Sequence, residues 1–277
     1  MIDIFTDSCS DLSPELIKKH QIRVIHLNVF INGHDYKDGE LTQAELFALA
    51  GQSGELPKTS APSISEFAQA FDTPNEKLFI GISAQLSATL QNAIKGAEMA
   101  EQPVQVVDSM NLSTGIGLLV LKAAEARDQG ASVAEIKTLI EATVPQVRTS
   151  FVIDTLDYLY KGGRCTTMQH LVGSMLRLRP VIEVRPDGTL GVKEKIGGSR
   201  RKALNALLEN FKRNLPEVDL HRVFVTHTSC EEDAAYLRAE LLKLAPIEEV
   251  CITAAGATIA SHCGPNTIGI LYILKPA

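Results

Sequence analysis

Apolar runs long enough to cross a membrane are missing from this sequence. The longest, near Ile116–Leu121, is cut at once by Lys122, far short of the ~20 residues that a spanning helix needs. Basic charge is not in excess either: the formal net charge is −6. That argues against a nucleic-acid-binding face, which normally carries a basic patch, and the local run Ser199-Arg200-Arg201-Lys202 reads as a solvated helix face. Cys9, Cys165, Cys230, Cys251 and Cys263 form an odd set without a CxxC pair. Neither a disulfide framework nor a structural zinc site is expected from them, and a reducing compartment is. Met1 is followed directly by Ile2 and Asp3, without the basic and apolar segments of a secretory leader, so a cytoplasmic protein is expected. HExxH, GxSxG and GxxxxGK[ST] are all lacking. Their absence removes the helical zinc-protease site, the nucleophile elbow and the phosphate-cradling loop.

What is present is enough apolar material for a sizeable core: 277 residues, 45% of them hydrophobic. Helix starts announce themselves. Ser13-Pro14-Glu15 reads as an N-cap followed by proline at the first helical position. Thr42 with Glu45, Ser63 with Glu66 and Ser132 with Glu135 have capping-box spacing. Between these starts lie β-rich runs at Ile2–Phe5, Ile22–Ile31, Leu78–Ile82 and Val104–Val107. Strand and helix alternating at such intervals predict a parallel sheet with crossover helices over residues 1–150.

Residues 151–277 read differently. Phe151–Ile153 is β-branched and apolar, Gly162-Gly163 marks a stop, and Thr166–Leu178 has helical spacing. Val181–Val184 and Leu190–Lys195 flank Pro186-Asp187-Gly188 as a hairpin. Helices from Ser199 and Glu231 then interleave with strands at Val223–Thr226, Val250–Thr253 and Ile268–Ile273. A mixed α+β domain follows, with the boundary near 150 and no Gly/Ser/Pro-rich linker. The expected fold class is α/β with two domains.

Thr59 and Ser60 stand just before the Ser63 cap, and Ser83, Ser87 and Thr89 follow the strand Leu78–Ile82. Helix N-termini and the carboxyl ends of parallel strands both attract anions, so these hydroxyls are candidates for a carboxylate or phosphate. Asp7 and Asp108 end strands; paired carboxylates there suit Mg²⁺ and phosphoryl transfer, or simply cap turns. His262 sits beside a Gly-Pro turn, where it is placed to donate to an anion or to shuttle a proton. A hydrolase pairing Ser87 with His262, or a metal-dependent phosphotransferase acting on a small anion, is the competing enzyme reading. Lys161-Gly162-Gly163-Arg164 presents an arginine on a tight turn, suited to pairing with an oxyanion.

In their order along the chain, Thr6-Asp7-Ser8, Thr59-Ser60-Ala61-Pro62-Ser63, Leu86-Ser87-Ala88-Thr89, Val107-Asp108-Ser109, Gly162-Gly163-Arg164, Arg179-Pro180 and His262-Cys263-Gly264-Pro265 resemble the DegV family over essentially the whole length. The resemblance implies a Rossmann-like α/β domain and an α+β domain with a long-chain fatty acid between them. It implies a monomeric carrier rather than an enzyme, with no metal and no cofactor, whose partner is a fatty acid kinase that phosphorylates the bound carboxylate for phospholipid synthesis. By motif, Thr59 and Ser87 hydrogen-bond the carboxylate, His262 lies near it, and Arg164 stands at the phosphoryl-accepting end. Ala84 and Ala88 replace a serine and a glycine common in the family. Gly197 replaces a common arginine associated with the kinase step, a departure that bears on phosphotransfer more than on lipid binding.

Overall fold

The computed structural model describes residues 1–164 and 178–276. The chain opens with β1 (Ile2–Asp7), and the Ser13 hydroxyl then accepts the Leu16 N–H to cap α1 (Pro14–Lys19). β2 (Arg23–Ile25), β3 (Asn28–Ile31) and β4 (His34–Lys37) follow. Full capping boxes at Thr42 and Ser63 start α2 (Gln43–Ser53) and α3 (Ile64–Ala70), with β5 (Lys58–Ser60) between them. Next come β6 (Glu76–Gly81), α4 (Thr89–Ala97), β7 (Val104–Asp108) and α5 (Thr114–Asp128). A third box, at Ser132, starts α6 (Val133–Thr143). In each box the cap hydroxyl and the glutamate three residues on satisfy one another's backbone donors, which is why these starts are local properties of the sequence.

The second half runs through β8 (Val147–Val152), α7 (Asp157–Lys161), β9 (Leu178–Val184) and β10 (Leu190–Gly197). It continues with α8 (Arg200–Asn214), β11 (Val218–His227), α9 (Glu231–Leu244) and β12 (Glu249–Ala254). α10 (Ala257–Cys263) and β13 (Ile268–Leu274) end it. The helical spacing over Thr166–Leu178, and Cys165, fall almost wholly outside the described residues.

Among the described residues there are three sheets. β2-β1-β6-β7 is parallel throughout; β10-β9-β8-β13-β11-β12 is mixed; β4-β3-β5 is antiparallel. In the mixed sheet only the β11–β12 pair is parallel, and β9–β10 is the hairpin expected around Pro186-Asp187-Gly188. The run Ile22–Ile31, read as one strand, is two strands in two sheets. At Leu27 the N–H donates to the Ser8 hydroxyl and the carbonyl accepts the Asp38 N–H. Those bonds take the chain out of the β1 ladder and into the small antiparallel sheet.

The largest apolar cluster draws Ile4, Ile80 and Leu119 from the first half and Ile182, Phe224 and Leu271 from the second. α5 lies between, touching both β1 and β13 and buried on nearly every face from Thr114 to Ala126. An all-round apolar helix is a core helix, so the Ile116–Leu121 run is explained by burial inside protein. A second cluster, built on Phe5, Phe67, Phe71 and Phe79, fixes α3 and α4 onto the other face of the parallel sheet.

Candidate functional site

In the parallel sheet β1 is flanked by β2 on one side and β6 on the other, so the strand order reverses at the β1–β6 seam. Open α/β sheets bind ligands outside the carboxyl ends of strands at such a seam. Here the seam is sealed by Asp7, whose carboxylate accepts the Ile82 N–H at 2.8 Å and the Cys9 N–H at 3.0 Å. Burial lifts its pKa to about 7 against those lowering bonds. Asp108 likewise accepts the Ala84 and Met110 N–H groups. Both carboxylates therefore hold strand-end turns, the structural role open to them from sequence.

The loop after β6 carries Ser87, whose hydroxyl accepts the Thr89 N–H and lies 2.8 Å from the Thr89 hydroxyl. From the other half α10 brings His262. Its Nε2 is 2.7 Å from the Thr59 hydroxyl of β5, while Nδ1 is buried without a partner. Burial, and then the nearby Arg164 cation, push the His262 pKa down to about 4, so the ring is neutral near pH 7. A neutral ring protonated on Nε2 donates to Thr59 and leaves the Thr59 O–H free for a third group. Arg164 is held by donating to the Leu86 carbonyl at 3.2 Å and the Gly162 carbonyl at 2.6 Å. Two glycines make this corner possible. A Cβ on Gly162 would sit 2.4 Å from His262 Nδ1, and one on Gly264, where φ is +76°, would sit 2.6 Å from the Tyr158 ring.

Thr59, Ser87, Arg164 and His262 border one narrow cavity of about 40 Å³ whose other walls include Ile82, Leu86 and Leu190. Inward it meets a chamber of about 30 Å³ through the shared walls Leu112, Ile259 and Cys263. Outward, Thr59, Arg164 and His262 also border an open cleft of about 620 Å³ lined by Lys58, Tyr158 and Lys161. A polar ring thus separates an apolar passage from a wet cleft. The passage is narrow and mostly apolar.

Of the seven anion-binding candidates read from sequence, Thr59, Ser87, Arg164 and His262 meet here, Thr89 stands behind Ser87 as its partner, and Ser60 and Ser83 lie elsewhere. Ser60 neighbours Thr59 on a strand, so its side chain takes the opposite face; it is exposed and accepts from Asn28. Ser83 is fully buried, its hydroxyl donating to the Gly188 carbonyl at 3.0 Å, and it ties the seam to the β9–β10 hairpin. Thr59 also reaches the site otherwise than expected. It lies on β5 and not at a helix start, and α3's first donors are already served by its own capping box. Ser87 has Thr89 and not His262 as its partner, so the nucleophile–base contact of a hydrolase is not formed. The thiol of Cys263 is pushed up to about 12 by burial, which keeps it out of thiolate chemistry. Near Gly197, Arg200 pairs with Asp154 and Asp233, and Arg201 lies over the Tyr236 ring at 3.6 Å; neither borders the cleft.

The lowered His262 pKa sets a pH dependence. Between the ordinary value of 6.5 and about 4, the unfolded chain binds a proton there that the folded chain refuses. The stability contributed by the neutral ring is complete above 6.5 and is lost as pH falls to about 4, amounting to about 3 kcal/mol. Asp7 acts in the opposite sense: its raised value makes stability fall as pH rises from 3.8 to about 7. Urea unfolding of ligand-free protein at about pH 7 and about pH 5 should show His262→Gln losing roughly 1–2 kcal/mol less than the natural chain on acidification. Equal losses would mean the ring is open to water.

Comparison with known proteins places this architecture. The family model of uncharacterised proteins of the DegV family matches residues 1–275. A DegV domain-containing protein of Caldanaerobacter subterraneus subsp. tengcongensis is 33% identical over 98% of each chain. One of Deinococcus radiodurans is 35% identical over 97% of each. Among solved structures, a fatty-acid-binding DegV family protein from Thermus thermophilus superposes with a TM-score of 0.92 at 32% identity, covering 99% of both chains. DegV from Bacillus subtilis, described as a fatty acid binding protein, gives 0.88 at 28% identity over 99% of both.

Proposed function

The chain belongs to the DegV family, and from that premise we propose that it holds one long-chain fatty acid, head at the Thr59–Ser87–His262–Arg164 ring and tail in the apolar passage. The observation that carries the reading is the ring itself, two hydroxyls, a neutral imidazole and one cation closing the mouth of a greasy bore. Thr59 and Ser87 supply O–H donors to the carboxylate, and Arg164 supplies the balancing charge. His262 orients Thr59 without adding charge of its own.

Energetics favour binding through the tail. Each buried methylene is worth ~0.8 kcal/mol, so a tail of about 16 carbons contributes on the order of 12 kcal/mol before ordering costs. The head contacts offset desolvation of the carboxylate and fix which end faces out. We further read the protein as a monomeric carrier that presents this carboxylate to a fatty acid kinase. Lys58, Lys161 and Arg164 face the same outer cleft, a cationic approach suited to a phosphoryl group arriving at the head.

The test is direct. Native mass spectrometry of protein purified from cells should show one long-chain acyl mass per chain, released on denaturation. Folded protein that carries no acyl mass, and takes none up from a mixture of saturated and unsaturated acids, would remove the reading.

A further inference from the structure

One hydroxyl in the inner cavity is unused by the head contacts. Thr258 of α10 borders that cavity, is 3% exposed, and its Oγ1 is buried with no hydrogen-bond partner. A helical hydroxyl commonly returns to the carbonyl one turn back, as Ser261 does to Ala257 at 2.6 Å. Thr258 does not. Its depth follows from its neighbours. His262 borders both the outer cleft and the inner cavity, Thr258 borders the inner cavity alone, as Ser87 does, and Ala255 just before the helix borders the deeper chamber. Four residues before His262 on one helix, it lies on the same face and about 6 Å along the axis.

Hydroxyls in the deeper chamber are already engaged: Thr149 with Asn111, Thr226 with Thr114, Thr228 with the Gly264 carbonyl and Thr267 with the Cys263 carbonyl. Ser113 donates to Asp11. Among the described residues, Thr258 is thus the wall hydroxyl below the mouth that is left open.

We propose that Thr258 is a contact for the ligand's chain rather than its head, and that the passage accepts long-chain acids bearing a hydroxyl within their first few carbons, as 3-hydroxy acids do. This rests on the fatty-acid reading of the site. A buried hydroxyl without a partner is unfavourable on either side of the interface, and each here satisfies the other. The Thr258 side chain, held by no hydrogen bond among the described residues, is free to change between staggered rotamers about χ1. Rotation exchanges methyl for hydroxyl, so the same wall meets a plain chain with carbon and a hydroxylated one with oxygen.

Displacement of a fluorescent fatty acid from delipidated full-length protein reads the ratio of affinities for 3-hydroxyhexadecanoic and hexadecanoic acid. In the natural chain the two should lie within about threefold. Thr258→Val, equal in shape, should shift the ratio about tenfold or more against the hydroxy acid, and Thr258→Ser should restore it. A natural chain that rejects the hydroxy acid tenfold or more, or a ratio unmoved by Thr258→Val, overturns the proposal and leaves the fatty-acid reading standing. Failure of both acids to bind the natural chain overturns both.

Discussion

Thr59→Val combined with Ser87→Ala should weaken retention of a long-chain acid by about 100-fold or more, with the fold unchanged. Each hydroxyl lost from a buried carboxylate costs roughly 1–3 kcal/mol, and 1.4 kcal/mol is tenfold in affinity. The two act on one group, so their losses need not add; the Arg164 charge and the tail burial remain. Dissociation constants, rather than simple occupancy, are the measurement of choice, because tail burial alone can keep the passage filled at the concentrations of a purified sample. Neither side chain is a core element. Thr59 lies on a three-residue strand and Ser87 in a loop, so thermal melting of ligand-free protein should move little. A double variant that binds as tightly as the natural chain would take the carboxylate away from this ring.

The largest stability loss should come from Phe79→Ala. Phe79 is fully buried on β6, edge-on to Phe67 with ring centres 5.4 Å apart and to Phe71 at 6.1 Å. Truncating such a ring costs about 3–5 kcal/mol, through lost transfer energy and a cavity that its neighbours fill only partly. Packing around it is tight: a Cβ on Gly81 would stand 2.5 Å from the Phe79 ring and 2.9 Å from the Asp7 carboxylate. The ring thus buttresses the residue beside the seam, and the loss should appear as a drop in the urea midpoint. An unfolding free energy within about 1 kcal/mol of the natural chain would show that the aromatic cluster is not the joint between sheet and helices.

What was legible in the sequence was what short-range chemistry decides. The three capping boxes and the Ser13 cap are closed within four residues, and the Pro186-Asp187-Gly188 hairpin within about as few. The four parallel strands were visible as β-rich runs between helices, although the break at Leu27 depends on Ser8 and Asp38 and left no local mark. β5 escaped notice because three residues cannot show a period and its pairing with β3 is long-range. α10 is seven residues long and almost wholly buried, so it lacks the polar face that reveals a helix. The motifs brought Thr59, Ser87, Arg164 and His262 forward as candidates, yet sorting Thr59 from Ser60 needed strand alternation. What turns Ser83 from the site is a contact with Gly188, 105 residues away. Thr258 was invisible, since being unpaired is a property of surroundings.

If the chain holds a fatty acid as proposed, the shared core of the two halves bears on how that cargo would leave. An acid in this passage lies within the same apolar mass that joins the parallel sheet, α5 and the mixed sheet, and parting the halves would bare all of it to water. On that reading departure would run through the rim, where the Thr59–His262 bridge and the arginine anchored to Leu86 and Gly162 would have to yield. Residence time is then uncoupled from global unfolding: a variant with a weakened core can hold its cargo as long as the natural chain. Whatever engages the rim, by contrast, can hasten discharge while the rest of the molecule stays closed.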